Sequence, residues 1–347
     1  MKRILVYRFS AMGDVVMLLP VLKGLLSANR DLEIYLLTRP FLFPVFQEID
    51  RLHLVPANLS GEHKGMKGLL KLYRQIKTEI KPNQVFDLHQ VLRTYTLNLY
   101  FRLGGFKVFT FNKGQLAKRK AVFSKSHQLL PGTVERYSEV FTKAGLKLNL
   151  PEPPLLKKIS KSQILKKLQL DLPDPVRLVG IAPFAKHPQK VWGFEKVEHL
   201  MQALSTGPNI RFILFGGGKE EISQLDELAA KFRNAVVAAH LLKLQDELEV
   251  LPQLDLMVSM DSANMHLAAM AGIPVISIWG ATHPSLGFAP YRQPAGYQIQ
   301  YEGKELNCRP CSVFGNKECK YGDVRCMKYI SVEQVENKVR NILSSGS

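Results

Sequence analysis

Asp261 and Ser262 stand between an apolar run, Leu254–Met260, and a helix-forming run that ends at Gly272 before a second apolar run begins at Val275. That order reads as strand, helix start, helix, strand. Both side chains accept hydrogen bonds, and the small Ala263 leaves the backbone of the first helical turn accessible. A helix N-terminus at the end of a parallel strand attracts anions, because its unpaired amides and the helix dipole point outward. The plainer reading has Asp261 or Ser262 as a simple N-cap and His266 as a packed helix residue.

Three further segments carry usable chemistry. In Ser10-Ala11-Met12-Gly13-Asp14, Gly13 permits close backbone approach, and Asp14 is a carboxylate at a helix start or else only its cap. The segment lacks the G-x-G-x-x-G spacing of dinucleotide sites. Lys186 and Lys190 sit in one short loop and can neutralise a diphosphate as point charges. Trp192, just beyond, is expected to anchor the following helix. Gly216-Gly217-Gly218 precedes Glu220 and Glu221; Glu220 can accept hydrogen bonds from a ribose or base, or merely suit a first helical turn. All four cysteines, Cys308, Cys311, Cys319 and Cys326, fall in one segment. Their spacing is compatible with structural zinc but matches no standard ribbon. In a reducing compartment free thiols are the alternative.

The elements that must position these groups alternate. Strands are expected at Ile4–Tyr7, Glu33–Leu37, Arg51–Val55, Val85–Leu88 and Lys107–Phe111, with an apolar helix over Val15–Leu26. A second series follows at Arg177–Ile181, Arg211–Phe215, Ala235–Ala238 and Leu254–Met260, with helices at Phe194–Ala203, Glu220–Phe232 and Gln245–Gln253. Short apolar strands separated by helices predict an α/β fold with doubly wound parallel sheets. Asn149–Pro154 is Pro-rich and a charged, helix-like segment leads on to Leu172–Pro175, so the interdomain linker is expected within 149–175. A chain of 347 residues exceeds the size at which one core usually stops growing, so two domains are expected.

The net charge of +17, from 47 basic and 30 acidic residues, calls for an anionic partner. Basic residues crowd Lys64–Lys77, Lys113–Lys125 and Lys157–Lys167. No nucleic-acid module spacing accompanies them, so no nucleic-acid partner is expected. Arg8 and Asp14 interrupt any leader-like apolar stretch at the N-terminus, and no run of about 18 uncharged apolar residues follows. The expected location is the cytoplasm, with contact at a membrane surface.

Arg8–Val16 with Pro20-Val21-Leu22, then Phe86-Asp87-Leu88-His89, Lys190-Val191-Trp192, Gly216–Glu220 and Asp261–Pro274 together resemble glycosyltransferase family 9, the ADP-heptose:lipopolysaccharide heptosyltransferases and their relatives. The resemblance spans nearly the whole chain in order. It implies a GT-B architecture, two Rossmann-like doubly wound domains facing a central cleft. Residues 1–160 would bind acceptor, 161–330 would bind nucleotide sugar, and a helix in 331–347 would pack back toward the first domain.

The implied enzyme is an inverting glycosyltransferase that moves heptose, or a related sugar, from a nucleoside-diphosphate donor such as ADP-heptose. Its acceptor would be an anionic, lipid-linked saccharide of the lipopolysaccharide inner core. The resemblance makes Asp14 the general base. Ser10, Gly13, His89, Lys64 and Lys67 would serve the acceptor. Lys186, Lys190, Glu220, Asp261, Ser262, Ala263, Asn264 and His266 would serve the donor. The chain has no Asp-x-Asp element, so no cofactor is expected in catalysis and any zinc at the cysteines would be structural. Ala263-Asn264 departs from the Gly-Pro usual in the family, which leaves donor identity open. Two alternatives are a transferase using a different nucleotide sugar for another surface glycan, and a non-catalytic nucleotide-sugar-binding protein.

Overall fold

The computed structural model describes residues 1–170, 176–206, 209–303 and 305–345. By their contacts the residues form two compact units, Met1–Gly114 with Pro131–Glu152, and Gln115–Leu130 with Pro153–Ser347.

The first unit carries β1 (Lys2–Tyr7), α1 (Met12–Val16), α2 (Leu19–Ala28), β2 (Leu32–Thr38), β3 (Leu52–Pro56), α3 (Gly65–Gln75), β4 (Gln84–Asp87), α4 (Leu92–Leu103) and β5 (Lys107–Thr110). After α5 (Gln115–Ser124), which belongs to the second unit, it closes with α6 (Thr133–Lys143). Its five strands are parallel in the order β3-β2-β1-β4-β5. Ile4–Tyr7 is buried without alternation, as a strand covered on both faces must be. Leu5, Tyr7 and Val85 face the core shared with Leu69, Leu72, Leu97 and Phe101 of α3 and α4. Phe86 stacks on Phe141 of α6, ring centres 4.6 Å apart.

The helix expected over Val15–Leu26 is two helices, parted at Met17 and Leu18. Pro20 is the cause. It lacks the amide that would bond to Val16, and its ring crowds that carbonyl.

The second unit carries α7 (Lys161–Lys167), β6 (Arg177–Ala182), α8 (Phe194–Ser205), β7 (Ile210–Leu214), α9 (Lys219–Ala229), β8 (Ala235–Val237), α10 (Ala238–Leu241) and α11 (Leu244–Val250). It continues with β9 (Leu256–Met260), α12 (Ala263–Ala271), β10 (Val275–Trp279), β11 (Gln298–Gln300), α13 (Arg325–Lys328) and α14 (Val332–Ser345). Its six strands are parallel in the order β11-β10-β9-β6-β7-β8. Each sheet reverses its strand order once, between β1 and β4 and between β6 and β9. In open α/β sheets ligands gather beyond the strand ends at such a reversal.

Two expectations about domain limits are corrected. The boundary lies at Glu152–Pro153 rather than 160, because Leu155 N–H already bonds to the Met270 carbonyl at 2.7 Å. The far end of the expected linker, 171–175, lies outside the described residues. Residues 115–130 join the second unit through a Leu130 N–H to Ser285 carbonyl bond of 2.8 Å, a His127–His283 stack at 4.2 Å and Lys118 Nζ lying 3.9 Å from the centre of the Phe288 ring. The final helix was expected to pack toward the first domain. Its stripe of Val335, Val339 and Leu343 lies in the second unit's core, with Val197, Leu200, Met201 and Leu204 of α8.

Candidate active site

In the first unit Tyr7 ends β1 directly beside Asp87, the last residue of β4. The two following turns therefore start side by side. Arg8 leaves β1 as a buried side chain. Its Nη2 lies 2.6 Å from Asp14 Oδ2, its Nη1 donates to the Leu88 carbonyl, and its plane lies near the rings of Phe111 and Tyr137. Burial pulls the Arg8 pKa down, but Tyr137 and the Asp14 charge outweigh it, and the net shift is upward. Tyr137 Oη donates to the Asp14 carbonyl at 3.1 Å. The Ala11 amide reaches Asp14 Oδ2 at 3.4 Å. Both side-chain contacts fall on Oδ2; among the described residues none falls on Oδ1.

Asp87 organises the neighbouring turn. Oδ1 accepts from the His89 and Gln90 amides at 2.8 and 3.0 Å, and Oδ2 from Gln90 Nε2 and Asn98 Nδ2 at 2.8 Å each. Tyr7 Oη closes the set by donating to Asn98. This fixes His89, whose Nε2 lies 3.4 Å from Ser10 Oγ. Burial first, then the charges of Arg8 and Lys113, push the His89 pKa down to about 3, so the ring is neutral at ordinary pH. Lys113 Nζ donates to the Gln90 carbonyl at 2.7 Å. The structure thus brings Ser10, Gly13, Asp14 and His89 to one sheet end. Lys64 and Lys67 lie elsewhere, exposed at the start of α3.

In the second unit Ala182 of β6 lies beside Ser259 of β9. The loop after β6 folds into a short turn, Pro188–Lys190, and Lys190 Nζ reaches Asp261 Oδ2 at 2.7 Å and the Asp261 carbonyl at 3.4 Å. Thr282 Oγ1 donates to the same Oδ2 at 2.8 Å. Asp261 therefore spends its carboxylate on Lys190 and Thr282. Ser262 is the N-cap of α12 but makes no side-chain capping bond; its Oγ pairs with Ser259 Oγ at 3.2 Å. The first amides of α12 are thus left without a side-chain cap, with Ala263 and Asn264 half-buried beside them. His266 is buried, and Lys186 is exposed.

Gly217 N–H donates to Glu221 Oε2 at 2.8 Å, so Glu221 is the acid that closes the glycine loop. Glu220 remains exposed in the first turn of α9. Trp192 is buried and donates to the Ile330 carbonyl at 3.0 Å, as an anchor would.

Sequence reading passed over Arg309. Buried at 4% exposure, it donates to the carbonyls of Gly280, Trp279, Thr282 and Tyr301 at 2.6 to 3.2 Å. It thereby fixes the loop that delivers Thr282 to Asp261. Its position between Cys308 and Cys311 drew attention to the thiols instead. Cys308, Cys311, Cys319 and Cys326 are free. Burial and the neighbouring Cys308 and Cys326 push the Cys311 thiol up to about 12. Among the described residues no group of three or more His, Cys, Asp or Glu side chains is arranged to hold a metal ion.

The family model for glycosyltransferase family 9 (heptosyltransferase) matches residues 105–321. The chain belongs to this family. Family 9 membership makes it a glycosyltransferase. Solved structures agree in fold. A family 9 glycosyl transferase from Veillonella parvula DSM 2008 superposes with a TM-score of 0.74 at 18% identity, covering 99% of this chain and 98% of that one. ADP-heptose lps heptosyltransferase II from E. coli gives 0.70 at 16% identity, covering 100% and 99%. E. coli heptosyltransferase WaaC with ADP gives 0.68 at 17%, covering 98% and 99%. No curated protein matches by sequence. The family 9 chain is of the GT-B fold class, with two Rossmann-like parallel sheets. Among the described residues no helix is long and apolar enough to cross a membrane.

Proposed function

We propose that the chain catalyses inverting transfer of heptose from a nucleoside-diphosphate heptose, with ADP the first candidate nucleotide, to an anionic lipid-linked saccharide of the lipopolysaccharide inner core. Family membership supports the transferase class, and the donor follows the ADP-heptose named for the E. coli relative. The observation that carries the assignment of the base is the Arg8–Asp14 contact at the end of β1. A carboxylate held through one oxygen keeps the other for the proton of an acceptor hydroxyl.

Asp14 Oδ1 takes that proton as the hydroxyl oxygen attacks the anomeric carbon. The bond from that carbon to the diphosphate oxygen breaks on the opposite face, and its electron pair leaves with the nucleoside diphosphate. The departing group gathers negative charge. Lys190, the uncapped amides of α12 and Lys186 meet it. Asp261 serves by holding Lys190 in place, and Glu220 and Asn264 flank the nucleotide and sugar. Ser10 and the neutral His89 ring orient the acceptor hydroxyl beside Asp14. Charge on the diphosphate is met by Lys190 and backbone amides, so no metal step is assigned. The enzyme works from the cytoplasmic side on an acceptor presented at the inner-membrane surface.

The test is transfer from ADP-heptose to purified inner-core acceptor by wild type and Asp14→Asn. Loss of turnover with donor affinity retained is expected. Unchanged turnover in the variant removes Asp14 as the base. Ala263 favours one second reading, a different nucleotide sugar, since its methyl narrows the space over the α12 start. Donor competition with GDP- and UDP-sugars separates the two.

A further inference from the structure

The α4 helix packs Thr94, Leu97, Asn98 and Phe101 inward and turns four large apolar side chains outward. Leu92 is 82% exposed, Tyr95 51%, Leu99 53% and Leu103 78%. Their spacing of three and four residues puts them in one line along the helix, about 17 Å long at the usual helical rise. Met66, 69% exposed at the start of α3, lies close by, since Tyr100 Oη of α4 donates to its carbonyl at 3.4 Å. A water-facing helix ordinarily carries polar groups here. A continuous exposed apolar line marks a surface that something covers.

Charge selects the occupant. Residues 64–107 contain nine Lys and Arg and two acids, and of those acids Asp87 is buried. Arg93 and Arg102 flank the apolar line on α4, while Lys67 and Arg74 are exposed on α3, where Lys71 pairs with Glu62 at 2.7 Å. A second copy would bring two such basic faces together, which like-charge repulsion opposes. A nucleic acid would use the cations and leave four apolar side chains in contact with phosphate and water. An anionic bilayer surface satisfies both halves: the leucines enter the boundary of the acyl chains, and the cations meet the headgroups.

We propose that the α4 line of Leu92, Tyr95, Leu99 and Leu103, with the α3 cations beside it, docks this enzyme on an anionic membrane. Leu92 begins α4 three residues after His89, so docking sets the sheet end that carries Ser10, Asp14 and His89 close to the lipid surface. A lipid-linked acceptor is then met where it emerges. The purpose rests on the membrane-borne acceptor proposed above; the docking itself is measured without acceptor.

The experiment is co-sedimentation with vesicles of phosphatidylethanolamine and phosphatidylglycerol, against vesicles of phosphatidylcholine. Wild type is expected to prefer the anionic vesicles and to lose affinity as salt rises. The triple variant Leu92→Glu, Leu99→Glu, Leu103→Glu changes only exposed positions. It should lose about tenfold or more of vesicle affinity, while keeping its melting temperature and its turnover on a deacylated, water-soluble acceptor. Unchanged vesicle binding by the triple variant overturns the proposal. So does a wild type that ignores anionic vesicles, or one that forms a dimer without vesicles that the triple variant dissolves. Vesicle binding without glycosyl transfer would refute the enzymatic reading and leave the docking surface standing.

Discussion

Arg8 Nη2 lies 2.6 Å from Asp14 Oδ2, and the same guanidinium also holds the Leu88 carbonyl. One buried cation thus ties the turn after β1 to the turn after β4. Arg8→Lys keeps the charge but loses the fork that spans both acceptors. It is expected to lower kcat more than it raises the donor KM. Arg8→Met should also lower stability by about 3 kcal/mol, since a partly buried carboxylate loses its partner. Steady-state kinetics and urea unfolding of both variants check this; wild-type kcat in Arg8→Lys would deny the positioning role.

Asp14→Asn removes the proton acceptor without changing the side chain's shape. Turnover should fall by about 10²- to 10⁴-fold, with donor affinity by calorimetry within about twofold of wild type. A matching fall in donor affinity would place Asp14 among the donor contacts instead.

Lys190→Ala should weaken donor binding and slow turnover together, and leave the buried Asp261 carboxylate with Thr282 alone. A stability loss of about 3 kcal/mol is expected. Adding Asp261→Asn should recover part of that stability but none of the turnover. A chelator should leave wild-type rates unchanged. Recovery of turnover in the double variant would show that Lys190 serves only to neutralise Asp261.

Stability should fall in acid because His89 is held neutral. Its pKa is about 3 in the fold against an ordinary 6.5, so between these values the unfolded chain binds the proton and the folded chain does not. The contribution is complete above pH 6.5 and is lost as pH drops toward 3. The loss is at most about 1.4 kcal/mol per pH unit. His283, pushed down to about 4 by burial and then His127, acts in the same direction. Unfolding midpoints at pH 7 and 5 should differ less in His89→Gln than in wild type, and equal slopes would rule out this source.

Arg309→Lys should raise the donor KM through Thr282 and Asp261. It keeps one cation but cannot reach the carbonyls of Gly280, Trp279, Thr282 and Tyr301 together. Thermal shift with ADP-, GDP- and UDP-sugars on wild type and variant reads this directly. A saturating donor at about 100 times Kd adds about 2.7 kcal/mol, and an unchanged shift in the variant would separate Arg309 from donor binding.

Much of the fold could be read from local pattern. Unbroken apolar runs such as Ile4–Tyr7 are buried on both faces of a parallel sheet and have few other solutions. Ser10–Asp14, Lys190 and Asp261–Ser262 were visible because strand-to-helix turns place such residues beyond the strand ends. Pairing across the sheet was not visible. Nothing local in Arg8 announces Asp14 and Leu88 as partners, and nothing in Arg309 announces the carbonyls of the loop after β10. Local pattern likewise did not show that Gln115–Leu130 joins the second unit, or which core takes Val335, Val339 and Leu343. The same amphipathic pattern fits any apolar surface, so which surface it meets is settled only when the sheets have formed. The sequence by itself determined the alternation of strands and helices and the positions of chemically able residues. Tertiary structure decided which of them touch, because contacts between distant segments depend on strand order, which local sequence does not encode.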